Sequence, residues 1–154
     1  MRYLLLLVLL PLALTLVLSI VSCSVPKLGL RDGQLLPCPT TPNCVSSLSP
    51  KSDTGHHVEP LSMHNNQEST MIGLRAIIAE MPRTLILEET GDYLRVQFTT
   101  QILRFKDDVE FHLVTAGDIV HIRSASRVGY SDFGANRKRV EMIRTAWNSW
   151  RSRQ

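Results

Sequence analysis

No Gly-x-Ser-x-Gly elbow, no His-Glu-x-x-His pair and no phosphate-binding glycine loop occurs in the 154 residues. The familiar marks of serine hydrolases, zinc peptidases and nucleotide-binding enzymes are therefore missing. Enzymes without those marks exist, so this absence alone leaves catalysis open. Nor is there an internal repeat at solenoid periods, which excludes a stacked-repeat architecture. One-sided charge is lacking as well: residues 24–154 carry 16 Lys and Arg against 14 Asp and Glu, a net of +2, and this balance argues for neither nucleic acid nor strong attraction to a membrane. The distribution is less even than the sum. Residues 24–122 hold 8 basic and 12 acidic side chains, whereas residues 123–153 hold 8 and 2, so basic charge gathers in the last fifth of the chain.

What the chain does have begins at its first residue. Met1 and Arg2 form a short positive start, and Tyr3 to Val21 are apolar apart from Thr15 and Ser19, the layout of an export signal. The run ends in Ile20-Val21-Ser22-Cys23, which resembles the lipobox of bacterial lipoproteins, where the Cys thiol takes a diacylglycerol and becomes the new N-terminus. This resemblance implies residues 1–22 as a lipoprotein-type signal peptide, Cys23 as the lipidated residue and residues 23–36 as a tether. A retained membrane helix is the alternative, since about 20 apolar residues span a bilayer; Pro11 in mid-run and Cys23 at the boundary favour cleavage. Both readings leave Arg2 on the cytoplasmic side and place the domain in the cell envelope, facing the periplasm or extracytoplasmic space, with the membrane as a partner. Nucleic acid is excluded by that location.

Residues 37–154 suffice for one domain with a core of its own. Cys38 and Cys44 bracket Pro39-Thr40-Thr41-Pro42-Asn43, and in an oxidising compartment a disulfide is the default for such a pair. Closing this short loop stabilises by roughly 2.4 kcal/mol in the chain-entropy model. From Asn66 the pattern becomes helical: Met71, Leu74, Ile77 and Ile78 share a face, Asn66 or Ser69 caps it and Pro82 ends it. Strand-like runs at 84–88 and 93–99 flank Gly91-Asp92, and runs at 108–115 and 118–125 flank Ala116-Gly117. Val140, Ile143, Trp147 and Trp150 recur at helical spacing, which makes both tryptophans core residues of a last helix. The expected fold is α+β: a four-stranded antiparallel sheet with two helices packed on one face, preceded by a disulfide-stapled, Pro-rich loop.

Between the last strand and the last helix, residues 123–139 concentrate Ser, Gly and Arg. Asp132 is placed to cap the helix. Asn136 and Arg139 border its apolar stripe and should lean toward the sheet, where they need partners. This stretch, together with Arg104-Phe105-Lys106-Asp107-Asp108-Val109-Glu110-Phe111, Cys38-Pro39 and Pro42-Asn43-Cys44-Val45-Ser46-Ser47, closely resembles the bacterial family called domain of unknown function 1499, across nearly all of residues 35–146. The resemblance implies an envelope address and a single domain, and it implies no activity.

Two readings of the cluster compete. In one, Arg123, Arg127 and Arg137 or Arg139, helped by Ser124, Ser126 and the amides at the helix N-terminus, grip a phosphate or carboxylate. In the other, Arg123 and Arg127 pair with Asp107, Asp108, Glu110 or Asp132 and hold the strand-to-helix corner. The supply of matching carboxylates favours the second. A two-residue turn at Ala116-Gly117 would place Leu113 opposite Val120 and Phe111 opposite Ile122 on the core face, and His112 opposite His121 and Glu110 opposite Arg123 on the other. Two His and a carboxylate on adjacent rungs could bind a metal or sense pH, although a tolerated polar face is the commoner meaning. His56, His57 and His64 match no metal spacing and read as solvated loop residues. No cofactor is expected. The favoured function is a lipid-anchored, non-catalytic envelope module that binds a protein, a lipid or a small anion; the alternative is a hydrolase or transferase using Asp107, Asp108 or Glu110 as acid or base beside Arg123 and Arg127.

Overall fold

A computed structural model describes residues 2–154; Met1, counted above in the positive start, and the side chains of residues 2–10 and of Leu12 lie outside the described set. A 20-residue helix, α1 (Arg2–Val21), opens the chain and contains Pro11. Two-residue strands β1 (Leu30–Arg31) and β2 (Gln34–Leu35) then form a hairpin around Asp32 and Gly33, whose φ values are 52° and 74°. That left-handed pair is what a tight hairpin turn demands. The segment expected to be a free tether is thus partly folded, and the amide of Gly29 donates to Glu110 Oε1 at 3.2 Å.

Next come β3 (Cys44–Ser46), β4 (Leu61–Ser62), α2 (Gln67–Ala79), β5 (Thr84–Glu89), β6 (Tyr93–Thr99), β7 (Lys106–Val114), β8 (Ile119–Ser126) and α3 (Ala135–Arg151). The sheet has six strands, not four: the order runs β3-β8-β7-β6-β5, and β4 also pairs with β8. β3 and β4 share the outer edge of β8, with Cys44 opposite Ala125 and Leu61 opposite Val120. At three and two residues, both are too short to show the alternation by which strands are recognised. The last hairpin keeps the expected register, Phe111 opposite Ile122 and His112 opposite His121, but its final pair is Val114 with Ile119. A single 3-10 turn, Thr115–Gly117, closes it, followed by Asp118 at φ 50°.

α2 starts where Asn66 accepts a hydrogen bond from the amide of Ser69 at 2.9 Å, satisfying one of the unpaired N-terminal donors. Its buried residues include Met71, Leu74, Ile77 and Ile78, the apolar face read from the sequence. They join Val140, Ile143 and Trp147 of α3 and Val96, Val109, Phe111, Val120 and Ile122 of the sheet in one core. The Cys38–Cys44 disulfide forms, with Cα atoms 5.6 Å apart, and ties the Pro-rich loop to β3. Replacing both cysteines by Ser is expected to lower unfolding free energy by about 2 kcal/mol, read as a lower urea midpoint at unchanged slope; an unchanged midpoint would mean that the loop is already held by its contacts.

Candidate functional site

Strand periodicity divides the acidic run of β7. Successive side chains point to opposite faces, so Asp107 joins Val109 and Phe111 on the helix side while Asp108, Glu110 and His112 point to the other. The register then builds two rows on that second face: Arg95, Glu110 and Arg123 in one, Tyr93, His112 and His121 in the next. Sheet faces of this kind are often solvated in antiparallel proteins. Here Asp108, Glu110, Arg95 and Arg123 are buried.

Burial is tolerated because the charges meet in pairs. Asp108 takes two guanidinium groups: Arg95 donates from Nε at 3.0 Å and Nη2 at 2.9 Å to Oδ1, and Arg127 donates from Nε at 2.7 Å to Oδ2 and from Nη2 at 2.9 Å to Oδ1. Glu110 receives Arg123 Nη1 at 2.8 Å, the Tyr93 hydroxyl at 2.8 Å and the Gly29 amide. Burial, and next the Glu110 charge, push the Tyr93 phenol well above its ordinary value, so it stays a hydrogen-bond donor. Nη1 of Arg127 reaches out of the sheet to the carbonyls of Ser22 and Ser24, each at 3.2 Å. These bonds draw the N-terminal segment over the charged face, leaving a cavity of about 310 Å³ among Val21, Pro26, Leu28, Arg123 and Arg127.

The two histidines stand opposite each other as the register required. His121 Nδ1 lies 3.1 Å from Ser47 Oγ, which accepts the Ile122 amide at 3.0 Å; burial and then the neighbouring His112 hold His121 below the usual imidazole range. His112 faces Asp92 at 4.0 Å, and its buried Nδ1 has no partner among the described residues. Glu110, the third ligand of the metal reading, is occupied by Arg123, Tyr93 and Gly29. Among the described residues no group of three or more His, Cys, Asp or Glu could hold a metal ion.

On the helix face the polar groups form a different set. Arg139 of α3 pairs with Asp107, and its guanidinium lies 5.1 Å from the centre of the Phe98 ring. Asn136, fully buried, accepts from Ser124 Oγ at 2.6 Å and donates to Asn43 O at 2.9 Å and Ser126 Oγ at 3.0 Å. One asparagine thus joins β8, α3 and the disulfide loop. Asp132 accepts the amides of Gly134 at 2.9 Å and Asn136 at 2.8 Å. Its carboxylate is taken up at the helix start, so it does not meet Arg123 or Arg127. Arg137 turns away to the carbonyls of Thr54, Gly55 and His57.

The residues grouped as one cluster therefore lie on two sides of a sheet: Asp108, Glu110, Arg123 and Arg127 on one, and Asp107, Ser124, Ser126, Asp132, Asn136 and Arg139 on the other. Sequence reasoning missed Tyr93, Arg95 and Asn43. Extending the register from β7 to β6 would have found the first two, because they lie beside His112 and Glu110. The loop histidines are also corrected. His56 and His57 have side chains only 16% and 14% exposed; His56 Nδ1 lies 2.8 Å from Asp53 Oδ2, whose hydrogen bond raises the imidazole above its ordinary range. His64 packs edge-on against Trp150, with ring centres 5.2 Å apart.

Cys23 is a free, exposed thiol with Lys106 Nζ 3.0 Å from its sulfur. The expected lipidation position therefore sits at the β7 end of the charged face. Comparison with curated proteins and with solved structures finds no match. Residues 34–147 match the family model described as "Protein of unknown function (DUF1499)", and the chain belongs to that family.

Proposed function

We propose that this protein is a lipid-anchored module of the bacterial envelope that works by binding or scaffolding rather than by catalysis. The observation that carries the non-catalytic half is the state of the three carboxylates that an acid–base mechanism would use. Asp107, Asp108 and Glu110 are 2%, 1% and 0% exposed, and each is paired with arginine. A general acid or base must reach a substrate proton, and these groups face partners inside the fold. The arginines act as fixed struts: Arg127 joins the sheet to the N-terminal segment, and Arg139 joins α3 to β7.

The anchoring half is supported by the apolar run ending at Ser22-Cys23 and by the exposed thiol of Cys23. Mass spectrometry of the protein extracted from bacterial membranes tests both halves. The expected product starts at Cys23, carries two or three acyl chains in all, two of them on its diacylglyceryl group, and holds no anion under native conditions. A chain that retains residues 1–22 in membranes where other lipoproteins are processed would reject lipidation. A co-purifying anion that disappears in Arg127→Ala, with the fold retained, would replace the strut reading with a ligand site.

A further inference from the structure

We propose that the end of the domain carrying Cys23 is a membrane-docking surface, in which two loops insert apolar tips into the headgroup region of an anionic bilayer. The proposal rests on the anchored reading above and goes beyond it, since a lipid anchor alone leaves the domain free to tumble at the end of its tether.

Three strands fix this end. β6 finishes, β7 begins and β8 finishes there, as the pairs Thr99 with Lys106 and Asp107 with Ser126 require. The loops 100–105 and 127–134 therefore project side by side. The Arg127 amide donates to Lys106 O at 3.1 Å, Lys106 touches Cys23, and Asn43 holds the Gly129 carbonyl at 2.7 Å. On these loops Ile102 is 85% exposed, Phe133 92% and Tyr130 73%, and Leu103 is also exposed. Neither turn at the opposite end, 90–92 or 115–118, presents an exposed large apolar side chain among the described residues. Isolated exposed apolar residues are ordinary, but four on adjacent loops beside an anchor point form a patch.

Backbone conformation adds a second observation. Phe133 and Arg104 have φ values of 53° and 57°, in the left-handed region that non-glycine residues avoid. A bulky ring held there without a packing partner gains nothing within the domain.

Charge supplies the third observation and the choice of partner. Arg83, Arg104 and Lys138 are exposed at this end and Lys106 is half-buried; of the carboxylates nearby, Asp107 and Asp132 are taken up by Arg139 and by helix amides, which leaves Glu80, at the end of α2, as an exposed one against these four bases. The far end carries Glu88, Glu89, Asp92 and Asp118, of which Glu89 pairs with Arg75. Apolar tips ringed by Lys and Arg are the composition that anionic bilayer interfaces attract. The loop 102–104 also lines a groove with Ala13, Leu16 and Ser19 of α1, so it lies against the most apolar segment of the chain. Removal of α1 at Cys23 leaves the lipidated residue beside Lys106, and with it this end of the domain next to the bilayer.

The test uses the membrane-extracted protein with spin labels on Ile102→Cys, Phe133→Cys or, as a far-end control, Asp118→Cys, reconstituted into vesicles of phosphatidylglycerol and phosphatidylethanolamine. Labels at 102 and 133 are expected to show a several-fold higher ratio of oxygen to aqueous nickel-complex accessibility than the label at 118, and to lose most of that difference in phosphatidylcholine vesicles. If the protein floats with the vesicles but all three labels are equally open to nickel, the docking proposal fails and the anchor stands. If the protein does not float, both fail. Shielding found only in native envelope vesicles, and not in pure lipid, would assign the surface to a protein partner and overturn the proposal.

Discussion

Asp108→Ala is expected to lower the melting temperature by on the order of 10–20 °C, because it removes the carboxylate that compensates two buried guanidinium groups. Breaking a buried ion pair from one side costs about 3–5 kcal/mol, and for a domain of this size each kcal/mol moves the midpoint by roughly 4 °C. Arg95 is the more exposed to this loss. Its side chain is 5% exposed, and among the described residues both hydrogen bonds its guanidinium makes go to Asp108 Oδ1. Arg127 keeps the carbonyl of Ser24, and that of Ser22 as well where the chain is uncleaved, so part of its hydrogen bonding survives. A matching expectation separates charge compensation from packing: replacing Arg95, Asp108 and Arg127 together by apolar residues of similar volume should restore most of the lost stability, since whole buried networks are often exchanged at little cost. Calorimetry on the single and triple variants reads both. A shift of less than about 3 °C for Asp108→Ala would mean that water reaches this face and that the network is not closed.

How much of this arrangement could be read from the chain depends on the distance over which each signal acts. The amphipathic faces of α2 and α3 and the four long strands were legible because each carries its own period over six or more residues. The last hairpin's register was legible because one turn fixes every pair behind it, and so Glu110 was placed beside Arg123 and His112 beside His121. β3 and β4 were not legible, since three and two residues carry no period. Their pairing with β8 is decided by distant partners: Ser47 Oγ accepting the Ile122 amide and Trp147 Nε1 donating to Ser62 O at 2.9 Å. The division of the polar cluster was hidden for another reason. Asp107 and Asp108 are neighbours in sequence, and only the pleat sends them to opposite faces. Carrying the hairpin register on to the pairs Asp108 with Ala125 and Asp107 with Ser126 would have sent the two aspartates to opposite faces in advance.

Trp147→Ala is expected to cost about 3–5 kcal/mol, the range for truncating a large buried aromatic side chain, and to loosen the edge of the sheet as well as the core. The indole is fully buried; its ring stacks on Trp150 with centres 5.3 Å apart, and its N–H is the bond to Ser62 in β4 noted above. The stack also explains a residue that helix propensity disfavours. Gly73 sits within α2, where glycine is worse than alanine by about 1 kcal/mol. A Cβ there would lie 2.5 Å from Trp150 Cζ3 and 2.6 Å from Trp147 Cζ3. Gly73→Ala should therefore destabilise the native protein by about 1–3 kcal/mol, the usual cost of overpacking. In a Trp147→Ala background one ring is gone and the other has lost its stacking partner, so the same substitution should become neutral or stabilising. Urea denaturation of the four proteins in this cycle measures the coupling. Strictly additive effects would mean that the tryptophans yield to the new methyl group, and that Gly73 is not there to admit them.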